Sequence, residues 1–120
     1  GWIITHDPFP IAFGRRKVYA DLGAEQSLAA ERAGQKIVVE IKSFLGVSKI
    51  TDLERAIGQY VIYRIWLTAV RPEYSIYIAL DRDAYEEIFV DVAGQILIEQ
   101  ADIKIIVVDK QKQEIVRWIS

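Results

Sequence analysis

The order of apolar and polar positions along the 120-residue chain predicts an alternation of strands and helices. The clearest strand covers residues 35–44, QKIVVEIKSF, because its unbroken Ile-Val-Val run is typical of an interior strand covered on both faces. Shorter β-rich runs predict strands at residues 2–5, 18–22, 74–80, 103–108 and 114–119. The last two runs are close enough to form a hairpin. Residues 23–34, rich in Ala and Glu, are expected to form a connection, either a turn of helix or a long loop.

The strongest helical pattern covers residues 48–70, where apolar residues recur at steps of three and four from Leu53 to Trp66. Thr51 followed by Glu54 has the form of a capping box and predicts Thr51 as the N-cap. The helix must end by Arg71, because the following proline disfavours a helical residue before it.

A second helix is expected to open at residues 81–83, with Asp83 and Glu86 as a cap-like pair, and to end near residue 94. Strands that precede and follow helical crossovers imply a mixed sheet with helices packed on it. No repeat or linker divides the chain, and its length suits one core. The expected fold class is therefore α/β, in a single domain over residues 1–120.

The composition of the chain restricts the kinds of chemistry it can perform more than it restricts the fold. The chain has no Cys and a single His, His6, which excludes disulfides and thiolate metal sites and argues against a His-built site. The net charge of −2 argues against bulk binding to nucleic acid, although residues 14–49 contain seven basic and four acidic side chains. The chain shows neither a secretory signal nor an apolar run of membrane-spanning length, so the cytoplasm is the expected compartment.

Charged residues interrupt the most apolar strand. Glu40 and Lys42 lie two positions apart and therefore share one face, and burying such charges is costly unless they are paired. Asp21 lies near the end of a predicted neighbouring strand, where pairing would bring its carboxylate beside Glu40. Two carboxylates suit a hard cation such as Mg²⁺, which activates water for phosphodiester cleavage, and a lysine assists that reaction. Taken alone, Glu40-x-Lys42 is more typical of a solvated ion pair on a half-exposed strand.

Asp21, an interval of 18 residues and then Glu40-x-Lys42 resembles the PD-(D/E)xK signature of restriction-endonuclease-like nucleases, with alanine in place of the preceding proline. Gln59 and Tyr63, on the next helix, resemble the Q-x3-Y element of some branches of that superfamily. The resemblance implies a mixed β-sheet flanked by helices, with Mg²⁺ or Mn²⁺ held by Asp21 and Glu40. It also implies that Lys42 assists the attacking water and the transition state, and that Gln59 and Tyr63 brace the site or contact DNA.

The whole chain resembles the XisH family, the fdxN element excision controlling factors of cyanobacteria. The stretches that carry this resemblance are GWIITHDPFPI, VYADLGAE, KIVVEIKSFLGVS, DLERAIGQYVIYR and IVRWIS. The family implies control of the programmed excision of a DNA element, together with a site-specific recombinase and a companion factor, XisI. Superfamily members usually begin with a helix on the sheet, and this chain has no Met, so a helix is expected to precede residue 1; without it one sheet face would lack its cover.

Several alternatives stay open at this point. The basic run Arg15, Arg16 and Lys17 is either a DNA-contacting patch or a solvated loop. Tyr60, Tyr63 and Trp66 suit the core better than a base-stacking platform, and Trp118 suits either the core or an interface. A non-catalytic adaptor that binds a companion factor or recombinase is the main rival to a nuclease, and a toxin-like or defence nuclease is a third. The sequence does not distinguish a monomer from a homo-oligomer.

Overall fold

A computed structural model of the chain describes residues 2–6, 10–13, 16–19, 26–42, 48–109, 111–112 and 114–120. The strands are β1 (Ile3–His6), β2 (Pro10–Phe13), β3 (Arg16–Tyr19), β4 (Gln26–Arg32), β5 (Gln35–Ile41), β6 (Tyr74–Asp81), β7 (Ile105–Asp109) and β8 (Glu114–Ile119). The helices are α1 (Lys49–Val70), α2 (Arg82–Ile88) and α3 (Val92–Gln100).

Six strands form one mixed sheet in the order β1–β4–β5–β6–β7–β8, and β2 pairs with β3 in a separate antiparallel ribbon. The centre of the sheet is parallel, because α1 carries the chain from β5 to β6 and the α2–α3 pair carries it from β6 to β7. Antiparallel strands flank this centre on both sides, and β7 and β8 form the predicted hairpin. The expected α/β fold with a mixed sheet and packed helices is confirmed.

The prediction of a connection over residues 23–34 was wrong, because residues 26–32 form strand β4. β4 pairs on one side with β1 and on the other with β5, so its backbone hydrogen bonds are satisfied by the sheet even though Ala and Glu are weak strand formers. The hairpin to β5 turns at Ala33 and Gly34, both with positive φ, at 51° and 83°. Such paired positive angles are what a two-residue hairpin turn requires. Strand β2 was likewise not expected from the sequence.

The helix boundaries differ from the prediction at two places. Ser48, not Thr51, is the N-cap of α1, and its hydroxyl accepts the backbone N–H of Thr51 at 3.2 Å. The second predicted helix is two helices, α2 and α3, whose N-caps are Asp81 and Asp91. The cap-like pair assigned to Asp83 was therefore wrong. None of the helices in the described ranges is long and apolar enough to cross a membrane.

The sheet has a different apolar layer on each face. One layer joins the sheet to the helices and contains Val38, Ile78, Tyr60 and Phe89. The other layer contains no residue from the three described helices; it consists of sheet residues such as Val39, Tyr77 and Ile106, with Trp2 packed against them. The Trp2 and Trp118 rings, from opposite edges of the sheet, stack at 5.7 Å between centroids, and Trp118 meets Tyr77 edge-on at 5.3 Å. Aromatic side chains thus help to cover the second face, and Trp118 is a packed residue that stays partly exposed.

Two glycines in helices have opposite surroundings. A Cβ on Gly94 would lie 2.4 Å from the Ile88 carbonyl oxygen and from the Phe89 Cα, whereas a Cβ on Gly58 would meet nothing within 4 Å. Gly94→Ala is therefore expected to lower the free energy of unfolding by about 1–3 kcal/mol, because backbone must move. Gly58→Ala is expected to raise it by about 0.5–1 kcal/mol through helix propensity. Urea unfolding of both variants tests the pair, and equal changes of one sign would contradict it.

Tyr60 connects α1 to the sheet and to the loop after α3. Its ring is fully buried, its hydroxyl is 3.2 Å from the Ile76 carbonyl oxygen, and it accepts the backbone N–H of Lys104 at 3.1 Å. One turn later, Arg64 donates to the carbonyl oxygens of Ala101 and Asp102 at 2.6 and 2.9 Å. These bonds stabilise the C-terminal end of α3, where cations are favoured.

Burial raises the pKa of the Tyr60 hydroxyl above its ordinary value of 10.0, against the opposing effects of the Lys104 N–H and of Arg64. Tyr60→Phe is expected to lower the free energy of unfolding by about 1–3 kcal/mol, because the Lys104 N–H loses its acceptor. Because the pKa of Tyr60 is higher in the folded than in the unfolded protein, its neutral hydroxyl contributes fully to stability below pH 10. This contribution is lost as the pH rises through the folded-state pKa. The difference between wild type and Tyr60→Phe should therefore shrink in urea titrations above pH 10, and a difference that grows would contradict this account.

Candidate functional site

Strand β5 places Glu40 and Lys42 on the face of the sheet that packs against α1. Glu40 is aligned with Ile78 of β6, which belongs to the helix-facing apolar layer. Lys42 follows the last residue of β5, and its backbone N–H still donates to the Ala79 carbonyl oxygen at 3.0 Å. That bond continues the strand geometry by one residue, so the side chain of Lys42 points to the same side as that of Glu40.

The two charged side chains form a buried pair. Lys42 Nζ lies 3.8 Å from Glu40 Oε2, and the side chains are 2% and 1% exposed. This distance is that of an ion pair rather than of a direct hydrogen bond. Lys42 Nζ also donates a hydrogen bond to Gln59 Oε1 on α1. The structure thus brings Glu40, Lys42 and Gln59 together between the sheet and the helix. The alternative interpretation of Glu40 and Lys42 as a solvated ion pair on a half-exposed strand is therefore wrong.

The other predicted site residues lie elsewhere or outside the described ranges. Tyr63, one turn after Gln59, is buried in the helix-facing core, where its ring lies 6.1 Å from that of Trp66. Asp21 and Arg15 lie outside the described residues. Arg16 and Lys17 lie on β3, of which the structure describes the backbone. The roles proposed for these residues stay predictions.

The donor atoms at the site are of the type that Mg²⁺ prefers. The carboxylate of the fully buried Glu40 is a hard oxygen ligand, whereas the amide oxygen of Gln59 accepts the hydrogen bond from Lys42. Within the described residues, no three His, Asp or Glu side chains form a metal-binding group. A carboxylate is a ligand that suits Mg²⁺, and the site in which Asp21 supplies the second carboxylate stays a prediction, because Asp21 lies outside the described residues.

The segment that contains α2 and α3 is acidic, whereas residues 14–49, which include Glu40 and Lys42, have an excess of basic side chains. Residues 82–100, which form α2 and α3, contain one basic and five acidic side chains, a net charge of −4 in a chain of net −2. The single base, Arg82, pairs with Asp109 at 3.7 Å. The relation of this acidic segment to a neighbouring groove becomes visible only in the structure.

The family model described as XisH protein matches residues 1–116. This chain belongs to the XisH family. A crystal structure of an XisH family protein from Nostoc punctiforme is 34% identical, with a TM-score of 0.89, and the match covers all of this chain and 89% of that one. The resemblance to the XisH family, first seen in the sequence, is confirmed.

A second XisH-like crystal structure carries a functional description. It is an fdxN element excision controlling factor from Anabaena variabilis, 36% identical over all of this chain and 88% of its own, with a TM-score of 0.88. A comparison with curated proteins gave no match. The fold of this chain is therefore shared with a protein described as an fdxN element excision controlling factor.

Proposed function

We propose that this XisH family protein controls the excision of a DNA element, and that its Glu40–Lys42 site is a PD-(D/E)xK-type site that cleaves DNA with a divalent cation. The observation that carries this proposal is the buried ion pair itself. A charged pair in the apolar layer under a helix is often no more stable than hydrophobic residues of similar volume. Its presence beside Gln59, in the order expected for the nuclease signature, supports a chemical role rather than a packing role.

Each residue has a distinct part in the proposed reaction. Glu40 and Asp21 would hold Mg²⁺ or Mn²⁺ through carboxylate oxygens. When bound by these carboxylates, the cation would supply an activated water and offset charge on the phosphate. Lys42 Nζ, held between Glu40 and Gln59, would place a positive charge beside the scissile phosphate, where negative charge develops. Gln59 keeps that ammonium oriented through its amide oxygen.

The proposal is tested with the purified full-length protein. Calorimetric titration of Mn²⁺ into wild type and Asp21→Ala is expected to show binding to the wild type that the variant loses. Incubation with supercoiled, linear and branched DNA is expected to give cleavage that requires Mg²⁺ or Mn²⁺ and stops with EDTA. If no DNA form is cleaved with either cation, the nuclease proposal is wrong.

A second candidate function, a non-catalytic adaptor that binds a companion factor or recombinase, is favoured by one observation. The side chains of Glu40 and Lys42 are almost completely buried, which restricts the access of a phosphodiester to them. An adaptor would keep the pair only as part of its fold. The two functions separate in an excision assay at a temperature where Lys42→Met is folded, because this variant would abolish excision by a nuclease and leave an adaptor active.

A further inference from the structure

A groove of about 230 Å³ lies between the first turns of α1 and the α2–α3 pair. Its floor contains Leu53, Ile88 and Leu97, which are partly buried, and the backbone of Gly94. None of the roles proposed above for Glu40, Lys42 or Gln59 uses this groove. Its apolar floor is of the kind that receives apolar side chains from a partner.

A large apolar side chain of the groove also extends into solvent. Ile50 lines it and is 64% exposed. Val92 and Ile96 on α3 are also exposed, at 77% and 52%, but they do not line the groove. A single exposed apolar residue is ordinary, but Ile50 adjoins an apolar groove, so a partner that enters the groove can cover it as well.

The charge around the groove is predominantly negative. Glu87 and Asp91 line it, opposite the single basic lining residue, Lys49. The helices that build this wall carry the net charge of −4 of residues 82–100, and their only base is paired with Asp109. A partner that enters the groove must therefore combine apolar side chains with positive charge.

We propose that this groove, formed by α1, α2 and α3, binds a basic amphipathic helix of a partner protein. Leucine-like side chains at helical spacing would fill the apolar floor, and flanking Lys or Arg would face Glu87 and Asp91. DNA and anionic membranes are disfavoured here because they would meet the same carboxylates. A second copy of this chain is disfavoured because a symmetric contact would oppose the acidic segment to itself. The inference concerns a surface separate from the Glu40–Lys42 site and holds whether or not that site cleaves DNA.

The test uses the full chain and a fluorescein-labelled peptide of about 15 residues, made of Leu at helical spacing and Lys elsewhere. Fluorescence anisotropy is expected to show saturable binding that Ile50→Ser weakens about tenfold and Glu87→Lys about fivefold. Ile65→Ser is the matched control for the first variant, since Ile65 lies on the same helix with 59% exposure and does not line the groove. Glu86→Lys is the control for the second, because Glu86 is the exposed neighbour of Glu87 outside the groove. Both controls are expected to change binding less than about twofold.

Each other outcome overturns the proposal. Equal losses of affinity in the test and control variants would mean that the peptide binds by general charge. If a peptide with Glu in place of Lys bound equally well, Glu87 and Asp91 would have no part in recognition. Binding of phosphatidylglycerol vesicles or of duplex DNA that Ile50→Ser abolishes would assign the groove to those ligands. A dimer by light scattering that Ile50→Ser dissociates would assign it to a second copy. DNA cleavage is measured separately, so a failed groove and a failed nuclease site are distinguishable.

Discussion

Glu40→Gln is expected to lower the free energy of unfolding by about 3–5 kcal/mol, because it leaves the ammonium of Lys42 buried without its carboxylate. The substitution keeps the size of the side chain, so the loss reports charge rather than a cavity. The pair lies 3.8 Å apart with almost no exposure, and solvent therefore screens it very little. Urea unfolding at neutral pH measures the change.

A matched variant and a double variant make this result interpretable. Glu86→Gln changes the same charge on the exposed face of α2 and is expected to alter stability by less than about 0.5 kcal/mol. Replacing both members of the pair, with Glu40→Leu and Lys42→Met, is expected to restore most of the stability or to exceed that of wild type, because hydrophobic residues need no charge compensation. A loss below about 1 kcal/mol for Glu40→Gln would contradict the buried-pair account.

Lys42→Met is expected to reduce divalent-cation-dependent DNA cleavage by at least about 100-fold, the usual scale for losing a group that stabilises developing charge. Methionine keeps the length of the buried stem, but it removes both the ammonium beside Glu40 and the donor to Gln59. The rate is measured on supercoiled DNA with Mg²⁺, at a temperature where circular dichroism shows that the variant is folded.

The control for this variant is Lys112→Met, which removes an exposed positive charge from the turn between β7 and β8 and should leave the cleavage rate within about twofold. Lys42→Met that cleaves like wild type while folded would reject a chemical role for the ammonium. Loss of cleavage with Mn²⁺ binding preserved would place Lys42 in the reaction rather than in cation binding. Loss of both would assign to Lys42 only the positioning of Glu40.

Local sequence patterns correctly predicted those elements whose pattern of apolar residues matches the faces that are buried in the structure. Strand β5 has a continuous apolar run because it is an interior strand, and α1 has helical spacing because one side of it packs on the sheet. The same patterns failed for β4, where an Ala-rich segment is a strand only because β1 and β5 pair with its two edges. Composition misleads where the partner strands decide the structure.

The candidate site, too, was predicted in part by local sequence and decided in part by packing. The alternation of a strand was enough to place Glu40 and Lys42 on one face, and the resemblance to a nuclease signature added Gln59. Whether the pair was solvated or buried depended on the packing of α1 across the end of β5, which joins residues 17 positions apart. The groove beside α2 and α3 gave no sequence signal at all, because its floor comes from three helices that are separate in the chain.

The sequence by itself determined the α/β class, because apolar periodicity is a local property, and stretches along the chain carried its resemblance to the XisH family. Its composition, without Cys and with one His, limited the available chemistry to that of carboxylates, Lys, Arg, Tyr, Ser and Gln. Only the tertiary structure decided that Glu40 and Lys42 are buried together against Gln59, and that an acidic apolar groove lies beside α1. Burial and charge complementarity depend on which distant segments meet, and that is settled by packing rather than by any single stretch of sequence.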